Sequence, residues 1–266
     1  MHILLTNDDS FDSPLFHILY DVLKKQGHTL TCIMPASEQS WKGKSMTRFG
    51  KLSLEEKHIN GRTFYTFEGA PADCVNFGIY HLCEETPDLV ISGVNMGYNV
   101  SLSYILSSGT IGAAMESYLA GYPSLSLSQQ LIPELYQYWY EHRSFPSDAS
   151  EHFEKQVYQI LETFKPQIEE LINTKGLWAL EMPYELKSDW SIRNSAPSKS
   201  HYGNAFIKNE DGTFSHCSPR LEQDDEKLSD INIMNAGDVA LNKLNLKSLC
   251  SLPVENSSGS INLFNS

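Results

Sequence analysis

The sequence predicts an α/β fold: a doubly wound, mainly parallel sheet with a smaller extension that contains a β-hairpin. Three observations carry this. Short apolar runs such as Ile3-Leu4-Leu5, Thr29–Met34, Leu89-Val90-Ile91 and Leu177–Met182 read as strands. Helical spacing lies between them, as in Leu15, Phe16, Ile18, Leu19, Val22 and Leu23. The links are short, so strand, helix and strand follow one another as parallel crossovers require. Sheets of this kind bind ligands at the carboxyl ends of their strands. The residues just after each apolar run are therefore the first candidates for chemistry.

Length and composition set limits. A chain of 266 residues can form one large α/β domain, or a domain with an appendage. A hydrophobic content of 41% and a charged content of 20% are ordinary for a globular protein. The formal net charge of −13 disfavours an extended groove for polymeric nucleic acid. It leaves room for a small anionic substrate, because a bound divalent cation reverses the local sign. Five cysteines without a CxxC pair suggest reduced thiols and a cytoplasmic protein. The apolar start is too short for a signal peptide, and no segment approaches the ~20 apolar residues of a membrane span.

In chain order, Ile3–Leu5 is a first strand that ends in Thr6-Asn7 and two adjacent carboxylates, Asp8 and Asp9. On neighbouring loop positions both can converge on one hard cation. The same residues also suit a plain turn with an aspartate as helix N-cap, and the pair alone leaves both open. Gly27 closes the first helix, and Pro35 stops the second strand. The polar segment 35–47 then offers the Ser40 hydroxyl to a metal or phosphate, and Lys42 and Lys44 to an anion, or is simply solvated. Leu52–Leu54 and Arg62–Phe67 flank Asn60-Gly61, the signal of a hairpin, here a small antiparallel insertion. Pro71 and Asp73 open a helix, where Asp73 complements the dipole and is structural.

Leu89–Ile91 is a further strand ending in a loop with Asn95, and that loop continues through Asn99 to Ser107. Ser108-Gly109-Thr110 precedes a small-residue helix, Ile111–Ala120. Free backbone N–H groups and two hydroxyls at such a terminus suit phosphate. Ser124–Ser128 is a fourth parallel strand, followed by a loop with aromatic residues to about residue 150. A helix from about Ala149 to Lys175, kinked or split at Pro166, leads to the strand Leu177–Met182. Beyond Pro183 the pattern weakens. A hairpin around Glu210–Gly212, an acidic loop at Asp224–Glu226, a helix from Ile231 capped by Ser229-Asp230, a last strand within 239–246 and a flexible Ser257–Ser260 are expected. The chain thus divides into a core, 1–183, and an extension, 184–266. No Gly-x-Gly-x-x-Gly follows the first strand, which argues against a dinucleotide-dependent dehydrogenase.

Several of these segments fall in one order that resembles the SurE survival-protein family of nucleotidases. They are Leu5–Asp9, Gln39-Ser40 with Gly43 and Ser45–Thr47, Gly69–Val75, Ile91–Gly97 and Ser108–Glu116, with a weaker echo at Ser229-Asp230 and Ala236–Val239. The resemblance implies a Rossmann-like core and an extension used in homodimer or homotetramer assembly. It also implies a divalent-metal phosphatase of the nucleotidase or acid-phosphatase type. Nucleoside 5′-monophosphates are its expected substrates, with 3′-monophosphates as a further class. Asp8, Asp9, Ser40 and Asn95 match the family's ligands to one Mg²⁺ or Mn²⁺ per subunit, with Asp8 and Asp9 also catalytic. Asn99, Ser108, Gly109 and Thr110, together with Asn7, match the phosphate-binding groups. The family usually has Gly where this chain has Ser10 and Trp41, and an acidic, Gly-containing loop where it has Ser101–Leu106. These departures keep a second expectation alive, a catalytically weak nucleotide-binding sensor on the same fold.

Overall fold

Burial on both faces explains why Ile3-Leu4-Leu5 is apolar without alternation. Ile3 and Leu5 pack with Phe16, Leu19, Val157 and Ile160 on one side of the sheet. Leu4 packs with Cys74, Val75 and Ala113 on the other. The structure, a computed structural model, describes residues 1–59, 61–217, 222–223 and 227–250.

The first half follows the expected strand–helix alternation. Its elements are β1 (His2–Thr6), α1 (Pro14–Lys25), β2 (Thr29–Pro35), β3 (Leu54–Ile59), β4 (Arg62–Phe67), α2 (Pro71–Phe77) and β5 (Leu89–Met96). They continue with α3 (Ser101–Ser107), α4 (Gly109–Leu119), β6 (Ser124–Gln129), α5 (Pro133–His142), α6 (Ser147–Thr174) and β7 (Leu177–Met182). The rest comprises β8 (Ile192–Ser195), β9 (Ser200–His201), β10 (Phe206–Lys208), β11 (Phe214–His216), β12 (Glu222–Gln223), α7 (Asp230–Asn235) and β13 (Val239–Leu244). Nine strands form one sheet in the order β3-β4-β2-β1-β5-β6-β7-β13-β8. From β4 to β7 every neighbouring pair is parallel. Among the described residues no helix is long and apolar enough to cross a membrane.

The structure corrects several expectations. The β3–β4 hairpin is not a separate insertion: β4 pairs in parallel with β2 and so extends the main sheet. Its tight turn holds, since Ile59 pairs with Arg62 and Gly61 has φ 72°; Asn60 lies outside the described residues. Segment 133–142 is the helix α5, not loop. Pro133 stands in its first turn and Leu135 and Trp139 are buried four residues apart. Segment 101–107 is the helix α3. It shows no side-chain cap and buries only Ser101 and Ile105, so its sequence carries little helical signal. Contacts with the extension hold it instead: Leu102 N–H donates to Ser198 O at 2.9 Å, and Ser103 Oγ donates to Ser200 O at 2.7 Å.

Pro166 is exposed and leaves α6 a single helix of 28 residues. After Pro183 the chain returns to the main sheet. β13 lies antiparallel beside β7, with β8 parallel at its outer side. The expected hairpin is β10–β11, closed around Asp211-Gly212. The cap at Ser229 also holds: its Oγ accepts from Asn232 N–H. Asp224–Glu226 and Ser257–Ser260 lie outside the described residues.

The face of α6 toward the sheet carries Phe153, Val157, Ile160, Leu161 and Phe164. Phe164 has no exposed surface, so Phe164→Ala should lower unfolding free energy by about 3–5 kcal/mol in urea titration. Tyr158 on the same helix is 44% exposed, and Tyr158→Ala should change it by less than about 0.5 kcal/mol.

Candidate functional site

The carboxyl ends of β1 and β5 lie side by side, and the chain leaves both into loops that meet the amino end of α4. Asp8 is 2% exposed and faces that helix end: Thr110 Oγ1 donates to its Oδ1 at 2.5 Å. The Thr110 backbone N–H also favours its charged form. A Cβ on Gly109 would stand 2.7 Å from Asp8 Oδ2. Glycine at 109 therefore makes room for a carboxylate of the protein itself. Asp9 is 4% exposed and points to the other strand end, where its Oδ2 accepts Met96 N–H at 2.8 Å.

Burial raises the pKa of Asp8 to about 6, against the lowering effect of the Thr110 bonds. It raises Asp9 well above the usual carboxylate range, and the neighbouring Asp8 charge adds to this. Neither carboxylate has a cationic partner within salt-bridge distance among the described residues. Two adjacent buried acids without a counter-charge are costly unless something positive joins them.

The other expected ligands approach the same place. Asn95 does not lie in a loop beyond its strand, as the sequence suggested, but within β5. The pairing of β5 with β6 shifts between Ser92 and Asn95, and Gly93 lies at that shift with φ 133°. A Cβ there would come within 2.3 Å of Leu127 O. Asn95 Nδ2 donates to Gly97 O at 2.9 Å, which leaves its Oδ1 as the atom for a ligand. Ser40 Oγ donates to Glu38 Oε1 at 2.6 Å. The Ser40 loop is fixed by two backbone bonds, Gln39 N–H to Asp8 O at 2.8 Å and Gly43 N–H to Ser107 O at 2.7 Å. Its close approach to the helices needs glycine twice: a Cβ on Gly112 of α4 would meet Gly43 O at 2.4 Å, and one on Gly43 would meet Leu106 O of α3 at 2.8 Å.

Asp8, Ser40, Asn95, Asn99 and Ser108 line one cleft of about 320 Å³, within the range of small-ligand sites. Asp9 stands beside it through Met96. Among the described residues no group of three or more His, Cys, Asp or Glu side chains could hold a metal. The donors brought together are instead two carboxylates, a hydroxyl and an amide oxygen, a set suited to a hard cation.

The proposed phosphate groups are partly engaged already. Ser108 Oγ caps α4 by accepting Ile111 N–H at 3.1 Å, and the Thr110 hydroxyl is used on Asp8. Asn99 Nδ2 donates to Ser128 Oγ at 2.9 Å. Asn7 Nδ2 donates to Ser10 O at 2.8 Å, while its buried Oδ1 has no partner. Lys44 does not face the cleft but pairs with Glu116 at 2.7 Å. Asp73 is structural, as expected: it takes Thr47 Oγ at 2.7 Å and Ala70 N–H at 2.8 Å.

Sequence reasoning missed Glu38 and Glu181. Glu38 lies two residues before Ser40 in a polar loop, where nothing distinguishes it from a solvated acid. Glu181 has no exposed surface and accepts Asn99 N–H on Oε2 at 2.7 Å, with Oε1 unpartnered. Burial, with Asp230 nearby, raises its pKa to about 8. The lone acid in an otherwise apolar strand, Leu177–Met182, was the available signal.

Comparison with known proteins identifies the family. The family model described as Survival protein SurE matches residues 3–204. A protein named 5′-nucleotidase SurE from Methanocella arvoryzae is 41% identical over 133 residues, 50% of each chain. One of the same name from Methanopyrus kandleri is 38% identical over 131 residues, 49% of each. The aligned stretch thus spans about half the length of the curated relatives. The crystal structure of a SurE protein from Aquifex aeolicus superposes with a TM-score of 0.67 at 25% identity, covering 92% of this chain and 94% of that one.

Glu181 gives a pH test. Its carboxyl is protonated in the fold up to about pH 8 but ionises near the ordinary value of 4.5 when unfolded. Its contribution is whole below that lower value and is lost as pH rises through about 8. Glu181→Gln removes this titration and keeps the acceptor for Asn99. In urea titrations the variant should gain on the order of 3 kcal/mol relative to the parent between pH 5 and pH 9.

Proposed function

The chain belongs to the SurE family, and on that premise we propose that it is a divalent-cation-dependent phosphomonoester hydrolase. Its substrates would be nucleoside 5′-monophosphates, with 3′-monophosphates as a further class. One observation carries this: Asp8 and Asp9, adjacent and buried, lie without a cationic partner among the described residues, beside a cleft that also holds Ser40, Asn95 and Ser108.

Asp8, Asp9, Ser40 and Asn95 would hold one Mg²⁺ or Mn²⁺. The bound cation supplies charge compensation on phosphoryl oxygens and a lowered pKa for a coordinated water. The chain's own groups do the rest. Thr110 fixes Asp8, and Met96 N–H fixes Asp9, so neither carboxylate needs to reorganise during reaction. Ser108, the start of α4 and Asn99 are placed to bind non-bridging oxygens, and Asn7 supports the loop through Ser10. In this proposal one of the two acids also orients the attacking water or takes a proton from it. Assembly into a homodimer or homotetramer through the 184–266 extension, and a cytoplasmic location, belong to the same proposal.

The test is a panel of nucleoside monophosphates with Mg²⁺ and Mn²⁺, read as released phosphate. The parent should turn over at least one substrate only with a cation, and Asp8→Ala and Asp9→Asn should each lose at least ~100-fold in kcat/KM. Nucleotide binding without release would instead support the sensor, and cation-independent release would refute the role given to Asp8 and Asp9.

A further inference from the structure

Part of the cleft lining is aromatic. Trp41, Tyr98, Tyr104 and Tyr136 line the same cleft as the carboxylate, serine and amide groups. Trp41 is 45% exposed and its backbone has φ 63°, a conformation uncommon for a bulky residue. It follows directly the hydroxyl of Ser40. Its ring is nevertheless fixed: it meets Tyr104 edge-on at 5.7 Å, Tyr202 at 4.9 Å and His216 at 5.0 Å. Tyr98 in turn meets Tyr104 edge-on at 5.7 Å. Packing alone explains the half-buried Tyr104 but not an indole that lines a polar cleft with almost half its surface exposed.

A fixed, half-exposed indole offers a flat π surface at low cost in side-chain freedom. A ligand matching both kinds of lining carries a phosphoryl group and a flat ring. We infer that Trp41, braced by Tyr104, is the platform on which the base of a nucleoside monophosphate stacks, and thus the specificity residue of this cleft. This rests on the phosphomonoester reading given above. Stacking needs only a ring face and no base edge, so purines and pyrimidines should both be accepted, while sugar phosphates without a base should be poor substrates.

The experiment compares kcat/KM for adenosine 5′-monophosphate and ribose 5-phosphate in the parent, Trp41→Ala and Trp41→Phe. The ratio between the two substrates should fall about tenfold in Trp41→Ala, mainly through KM, and be largely retained in Trp41→Phe. An unchanged ratio in Trp41→Ala overturns the assignment. If the parent hydrolyses neither ester, the hydrolase reading fails and stacking is read separately from tryptophan fluorescence. Adenosine 5′-monophosphate should then quench the parent more than Trp41→Phe, while inorganic phosphate quenches neither. Equal quenching of both proteins by the nucleotide overturns the platform.

Discussion

The contact of the Asp8 carboxylate with the amino end of α4 is the constraint on which the site depends. A buried carboxylate is tolerated there because Thr110 donates from its hydroxyl and backbone, and because Gly109 has no side chain to displace it. The same contact fixes the end of β1 against α4 and so places Asp9 beside β5. From there the bonds from Met96 to Asp9 and from Gln39 to Asp8 bring the Asn95 and Ser40 segments to one cleft. Each tie is a single hydrogen bond, and that from Met96 to Asp9 is buried, where losing one partner costs more than the bond itself contributes.

Local strain accompanies this arrangement. Ser10, Trp41 and Ser101 all have left-handed backbone, with φ 66°, 63° and 67°. Two of these are the positions where the family pattern has glycine, which adopts that conformation without penalty. A non-glycine residue there costs on the order of 1–3 kcal/mol and persists only where the surroundings over-determine it. Ser10 is held by Asn7, and Trp41 by a ring of aromatic neighbours. Added contacts thus accompany both residues.

Much of the fold was legible because a doubly buried parallel strand has no polar positions to obscure it, as in Ile3–Leu5 and Leu89–Ile91. What escaped depends on tertiary contacts. Helix α3 carries no amphipathic stripe and is held by Ser198 and Ser200, nearly a hundred residues away. Helix α5 reads as a loop because its outward face is aromatic, although Leu135 and Trp139 keep helical spacing. In the site, residue types made Asp8, Asp9, Ser40, Asn95 and Ser108 candidates and the family resemblance joined the first four into one ligand set; the structure sets Asp8, Ser40, Asn95 and Ser108 on one cleft. Spacing could not show that Thr110 and Gly109 serve Asp8, or that Glu181 lies buried behind Asn99. Those are facts about what stands opposite each group in space.

We propose that the counter-charge of the buried pair Asp8 and Asp9 is a divalent cation. Thermal unfolding with and without Mn²⁺ tests it without recourse to activity. Ligand that binds the fold adds about 2.7 kcal/mol at a hundredfold excess over its dissociation constant. The parent should therefore unfold several degrees higher in saturating Mn²⁺. Asp8→Asn, which removes a buried charge, should be as stable as the metal-free parent or more so, and gain nothing from the cation. A parent whose unfolding temperature is unmoved by Mg²⁺ or Mn²⁺, or an Asp8→Asn protein that gains as much as the parent, would contradict the account.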